Sequence, residues 1–233
     1  MRVTFVDGSE GEIVAAGALD IGTKDVWIFT SGGLDDVDRT IDFGYGDGSA
    51  FMDQGPLETY RGSAGTVEMW MPHPDIPAGC PYLVYRFGEW FAGVRTCQSE
   101  LGPAERREWA GSLEGRVTDD GFLVLYASGP LQLQETGGHE GPSLILGGRS
   151  NWIAMTPGEC AVRRPDDGEI RTMPDGTRVG FGRIGGPGSR VRNNWIVTWC
   201  EDGMMTLQVS NASRKFALTA ARDLRMRRIM LAD

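Results

Sequence analysis

The chain has 233 residues, 34 of them Gly and 12 Pro, with 40% hydrophobic residues and a formal net charge of −9. The hydrophobic share supports a packed core, and the length admits one large or two small domains. The same numbers exclude a collagen-like repeat, a disordered acidic tail and a polybasic nucleic-acid binder.

The predicted elements are short and strand-like. In chain order the first candidates are residues 2–6, 12–16, 25–30, 40–45, 66–71, 82–87 and 90–96. Each is rich in β-branched or aromatic residues and bounded by Gly or Pro. A helix of about two turns is expected over 103–110. Pro103 suits its first turn, Glu105 complements the helix dipole, and Gly111 stops it. Beyond it, 113–118 runs through Asp119-Asp120-Gly121 into 122–127, which reads as a hairpin. Residues 195–200 run through Glu201-Asp202-Gly203 into 204–210. With Asn211-Ala212-Ser213 as a second turn and 214–219 as a third strand, residues 194–219 read as a meander. Residues 219–231 fit two patterns. Leu224 and Met226 alternate as in a strand, whereas Ala221, Leu224 and Leu231 fit a helix. The preceding meander favours the strand.

Asp-Gly occurs six times, at 7–8, 47–48, 120–121, 167–168, 175–176 and 202–203. Such pairs between strand-like runs are hairpin signals, because the tight turn needs residues that tolerate positive φ. The expected fold is all-β: antiparallel sandwich or barrel modules with many hairpins and one short helix near 103–110. The expected division is an acidic N-terminal β module over 1–101, a helix or linker over 102–111, and a C-terminal β module over 112–233. One single large β domain is the alternative. No period of 20–50 residues repeats, which disfavours propellers and solenoids.

The charge is polarised along the chain. Residues 1–60 hold 12 acidic and three basic residues, so the whole −9 lies there. Residues 214–228 carry Arg214, Lys215, Arg222, Arg225, Arg227 and Arg228 against Asp223. Opposite charge at two ends allows head-to-tail attraction between copies or steering toward charged partners; a solvated surface is the plainer explanation. Of the 23 basic residues only Lys24 and Lys215 are lysines.

There is no apolar run of about 18 residues and no signal-peptide pattern near the N-terminus, so cytoplasmic synthesis without export is expected. Cys80, Cys97, Cys160 and Cys200 form no Cys-x-x-Cys pair and are expected to be free thiols.

Catalytic and ligand motifs are weak. Gly180-Phe181-Gly182-Arg183-Ile184-Gly185 matches the dinucleotide fingerprint by letter. That motif needs a helix starting at its third glycine, and Gly186-Pro187-Gly188 follows instead. The glycines are better read as sites where backbone crowds or bends. The two histidines, His73 and His139, have no ligand-spaced neighbour, and Asp35, Asp36 and Asp38 lack a calcium-loop pattern. No nucleophile elbow is present. No catalytic residue, cofactor or metal is therefore expected, and enzymatic activity is not indicated. Trp195, Val197 and Trp199 would share one strand face, with Ile196, Thr198 and Cys200 on the other.

The remaining candidates are interface residues: Asp35, Asp36 and Asp38 as an acidic face, Trp70, Trp90 and Trp109 as aromatic anchors, and Arg222, Arg225, Arg227 and Arg228 as a basic face. They lead to the expectation of a structural subunit in an assembly with copies of itself or other subunits, such as a virion tail, baseplate or capsid-associated component. Two other readings compete. One is a β-barrel that binds a small molecule or sugar, as a binding protein or an enzyme, with Trp70 or Trp90 lining an apolar pocket and His73 or His139 among its polar groups. The other is an acidic module that neutralises a basic partner. Nucleic acid and membrane are not expected partners.

Overall fold

The computed structural model describes residues 2–15, 30–33, 40–45, 55–63, 65–71, 81–95, 101–131, 143–146, 151–157, 159–184, 195–203 and 205–229. Two compact units are present. A central unit comprises Thr4–Ser9 and Ile28–His139, and a terminal unit comprises Met1–Val3, Glu10–Trp27 and Glu140–Asp233. Among the described residues the architecture is mostly β, built from antiparallel sheets with two short helices, and no closed barrel is formed. Among the described residues, no helix is long and apolar enough to cross a membrane.

The main sheet of the central unit has six strands: β3 (Thr30–Gly33), β4 (Thr40–Tyr45), β5 (Glu58–Gly62), β6 (Gly65–Trp70), β7 (Tyr82–Phe87) and β8 (Trp90–Arg95). Their order across the sheet is β3-β4-β8-β7-β6-β5. The bounds of β4 and β7 coincide with the runs predicted from their sequence patterns. Helix α1 (Pro103–Ala110) also forms where Pro103, Glu105 and Gly111 predict it. The Glu105 carboxylate accepts the Gly102 backbone N–H at 2.8 Å, satisfying one donor the helix start leaves over. Strands β9 (Leu113–Val117) and β10 (Leu123–Ala127) then form the expected hairpin.

Leu83, Tyr85 and Phe87 of β7 share a face with Trp90, Ala92 and Val94, their cross-strand partners on β8. All six are buried. The β9–β10 ribbon packs close to this face: a Cβ on Gly115 would lie 2.7 Å from the Phe87 ring. Only a residue without a side chain fits there. The Trp90 indole N–H donates to the Gly121 carbonyl at 2.9 Å, tying the start of β8 to the tip of the ribbon.

The terminal unit repeats this plan. Its main sheet has β11 (Ser143–Leu146), β12 (Asn151–Pro157), β13 (Glu169–Thr172), β14 (Arg178–Arg183), β15 (Trp195–Glu201) and β16 (Met205–Ala212). Their order is β11-β12-β16-β15-β14-β13, the same order of first, second, sixth, fifth, fourth and third as in the central sheet. A helix, α2 (Arg214–Asp223), and a strand, β17 (Leu224–Ile229), again follow. The offset between counterparts is 111 residues for β5 and β13 (58 to 169) and for α1 and α2 (103 to 214), and 113 for β7 and β15 (82 to 195). The chain thus carries the same six-strand order twice, each time followed by a helix and a strand. With offsets of 111–113 residues, the repeat lies outside the 20–50 residue range of solenoids and propellers.

The sequence expectation for 214–219 is corrected. This stretch is not the third strand of a meander but the first part of α2. Ser213 caps the helix, its hydroxyl oxygen accepting the Phe216 N–H at 3.2 Å. Ala217, Ala220 and Ala221 are buried, the i, i+3, i+4 stripe of a packed helix. The strand expected within 219–231 does form, starting at Leu224. It pairs with β2 (Glu10–Ala15), which neighbours β1 (Arg2–Thr4) in a three-stranded sheet.

Candidate functional site

The most distinctive described side-chain cluster lies in the terminal unit, where β13, β14 and β15 meet the start of α2. Phe181 of β14 and Trp195 of β15 stack with ring centroids 4.7 Å apart and planes 13° from parallel. They sit diagonally across the two strands: Phe181 faces Val197, and Trp195 faces Arg183. Three guanidinium groups lie over these rings. Arg171 is 4.9 Å from the Phe181 centroid, and Arg183 is 5.4 Å from that of Trp195. Arg214, the first residue of α2, is 5.8 Å from Phe181 and 5.7 Å from Trp195. Arg171 is ion-paired with Glu169. Arg214 makes no ion pair among the described residues, and both Arg183 and Arg214 are exposed.

A cation at the first position of a helix opposes the macrodipole, which favours anions there. The two aromatic faces offset that cost by cation–π attraction. Arg214, close to both rings and exposed, can offer its N–H edge for a forked contact with a carboxylate. The cluster can therefore hold carboxylates.

The glycines of the fingerprint-like stretch have a packing role. A Cβ on Gly180 would lie 2.2 Å from the Arg163 carbonyl oxygen, and one on Gly182 would lie 2.8 Å from Pro165. Residues 163–168 cross so close to β14 that side chains there are excluded. Crowding, the sequence expectation, explains both glycines; Gly185 lies outside the described residues.

Two further clusters hold titratable groups. In the central unit, Tyr60 donates to the Glu58 carboxylate, which also accepts from Arg106 at 3.1 Å. The Tyr60 hydrogen bond, then Arg106, hold the Glu58 carboxyl below its ordinary range. In the terminal unit, Cys160 and Cys200 are free thiols. Burial, then its contact with Cys160, push the Cys200 thiol up to about 12. Among the described residues, no group of three His, Cys, Asp or Glu converges as a metal site would.

Of the predicted interface residues, Trp70, Trp90 and Trp109 belong to the central unit, and Arg222, Arg225, Arg227 and Arg228 to the terminal unit. Trp90 is 2% exposed and Trp109 is 3% exposed. Both are core residues of the central unit rather than surface anchors. Trp70 is half-buried, packed against Tyr82, Val84 and Phe91, with its indole N–H on Glu68 at 3.0 Å. Arg222 is held in a two-pronged pair with Asp223. Arg225 is committed to the carbonyls of Ala221 and Leu224 and to Asp175. Arg227 and Arg228 pair along the backbone with Glu12 and Gly11 of β2. Asp35, Asp36, Asp38, His73 and His139 lie outside the described residues. Sequence reasoning missed Arg171, Arg183 and Arg214 as a group, because they come from three separate elements. The available signal was Arg183 following Phe181 at the spacing that places both on one strand face.

Comparison with known protein families, with curated proteins and with solved structures found no match to this chain.

Proposed function

We propose that the chain is a non-catalytic structural subunit that assembles with copies of itself or with other subunits, in a virion-type particle such as a tail, a baseplate or a capsid-associated layer. The observation that carries this reading is the doubled topology. A chain that presents one module twice offers each neighbour two related surfaces, which suits repeated contacts in a closed or extended assembly. The edge strands β5 and β13 support it. Both are counterparts in the repeat, and both are largely exposed. Each carries a Glu and an Arg, the charged decoration that discourages indiscriminate edge pairing and leaves recognition to side chains. Cytoplasmic synthesis without export belongs to the same reading.

Sedimentation or native mass measurement over a range of concentrations tests it. A discrete oligomer, or co-assembly with a defined second subunit, is expected. A chain that stays strictly monomeric at high concentration and co-purifies with no partner overturns the reading.

A further inference from the structure

We propose that Arg183 and Arg214, laid over the Phe181–Trp195 stack, form the docking surface for the acidic N-terminal stretch of a second copy of this chain. The proposal rests on the assembly reading and names its contact.

Three observations carry it. First, Arg214 stands at a helix start with two aromatic rings beneath it and no ion pair among the described residues. Its placement runs against the helix dipole, and such local conflicts concentrate at functional sites. Second, attraction to the rings biases the guanidinium groups of Arg183 and Arg214 toward this position. Less side-chain entropy is then lost when a carboxylate binds. Third, the chain itself supplies a complementary charge. Residues 1–60 carry a net −9, whereas the other residues sum to zero. The basic stretch near the C-terminus does not supply the contact through Arg222 or Arg225, because these are engaged by Asp223 and Asp175. An acidic segment from another copy matches the cluster in charge, and the contact is heterologous, joining different surfaces of the two copies.

The test compares wild type with the Arg183→Glu/Arg214→Glu pair by sedimentation at low and moderate salt, with circular dichroism to confirm folding. We expect the pair to weaken self-association at least tenfold. Wild-type association should weaken as salt rises, as it does for exposed charge contacts. A wild type that assembles while the folded pair assembles equally well overturns this surface and leaves the assembly reading standing. A monomeric wild type overturns the assembly reading itself. Should the pair misfold, a second measurement decides. The Arg214→Lys variant, mixed as labelled and unlabelled copies, is cross-linked with a zero-length carbodiimide. A link from position 214 to an acidic residue within 1–60 of another copy supports the contact. Links only within one copy, or only to acids outside 1–60, overturn it. A single-stranded DNA oligonucleotide that binds wild type in moderate salt, and is lost with the pair, would reassign the cluster to nucleic acid and also overturn it.

Discussion

The Tyr85 hydroxyl, in the middle of β7, donates a 2.7 Å hydrogen bond to the Trp109 carbonyl in the last turn of α1. The contact lies inside the core, with Tyr85 1% exposed. Burial pushes its phenol well above the usual range, so it remains a neutral donor. This buried contact fastens the helix of the central unit to its sheet, beside the more exposed Arg106–Glu58 pair. The Trp109 carbonyl also accepts the Ser112 N–H at 2.9 Å, so it keeps a partner if the phenol is removed. Tyr85→Phe should therefore cost only about 0.5–1.5 kcal/mol, the net worth of one hydrogen bond. Urea unfolding followed by tryptophan fluorescence checks this, with the midpoint lowered and the slope unchanged. An unchanged midpoint would show that the contact does not hold the helix.

Gly180 should tolerate no side chain. Its missing Cβ would stand 2.2 Å from a backbone oxygen, which cannot swing aside as a flexible side chain can. Gly180→Ala is expected to destabilise by about 1–3 kcal/mol or more through overpacking. Gly55→Ala is the control, since a Cβ there meets nothing within 4 Å. Thermal unfolding of the two variants should differ clearly; equal midpoints would remove the crowding explanation.

Glu201 provides a pH test. Burial raises its carboxyl pKa, and the hydrogen bond from the Trp199 indole, 2.7 Å long, opposes the rise. A carboxyl whose pKa is higher folded than unfolded binds its proton more tightly in the native state. Its contribution is most favourable at low pH and is lost as pH rises through the folded pKa. Glu201→Gln keeps an oxygen to accept the indole N–H and removes the half-buried charge. The variant should be more stable than wild type at pH 7, with the difference closing below about pH 4. Melting temperatures from pH 3 to 8 check this. A Glu201→Gln variant less stable at pH 7 would show that the ionised form is preferred in the fold.

Cys200 should be slow to react while the protein is folded. With its thiol pushed up to about 12, the thiolate fraction near pH 8 falls by roughly three powers of ten against an ordinary thiol. Iodoacetamide labelling at pH 8, read by peptide mass spectrometry, should be about 100-fold slower or more in native protein than in urea. Native labelling should accelerate as pH rises. Equal rates in the two states would show that the fold does not hold this thiol protonated.

The elements most legible in the sequence were those with local causes. Tyr82–Phe87 and Pro103–Ala110 carry their own start and stop signals, and both formed with the predicted bounds. The Asp-Gly pairs at 120–121, 175–176 and 202–203 turn between paired strands. Gly203 takes φ 72° and even Asp202 takes φ 51°, the left-handed geometry these residue types tolerate. Residues 214–219 misled because Lys215, Phe216, Ala217 and Leu218 give no clear period. The Ser213 cap and the burial of Ala217, Ala220 and Ala221 decide for helix. The candidate site was less legible still. Arg171, Arg183 and Arg214 are brought over one aromatic pair by sheet pairing and the start of α2, whereas the basic stretch at 222–228 loses Arg222 to Asp223 and Arg225 to Asp175.

By itself the sequence determined that this is an antiparallel β protein with frequent hairpins and one short helix near residue 105, because alternation, turn residues and caps act over a few residues. Tertiary structure alone decided the strand orders, the doubling of one topology, and the pairing of Glu10–Ala15 with Leu224–Ile229. It also decided which arginines meet aromatic rings and which aromatics are core. These depend on contacts between residues far apart in the chain, whose formation depends on which surfaces can be buried together and not on any local pattern.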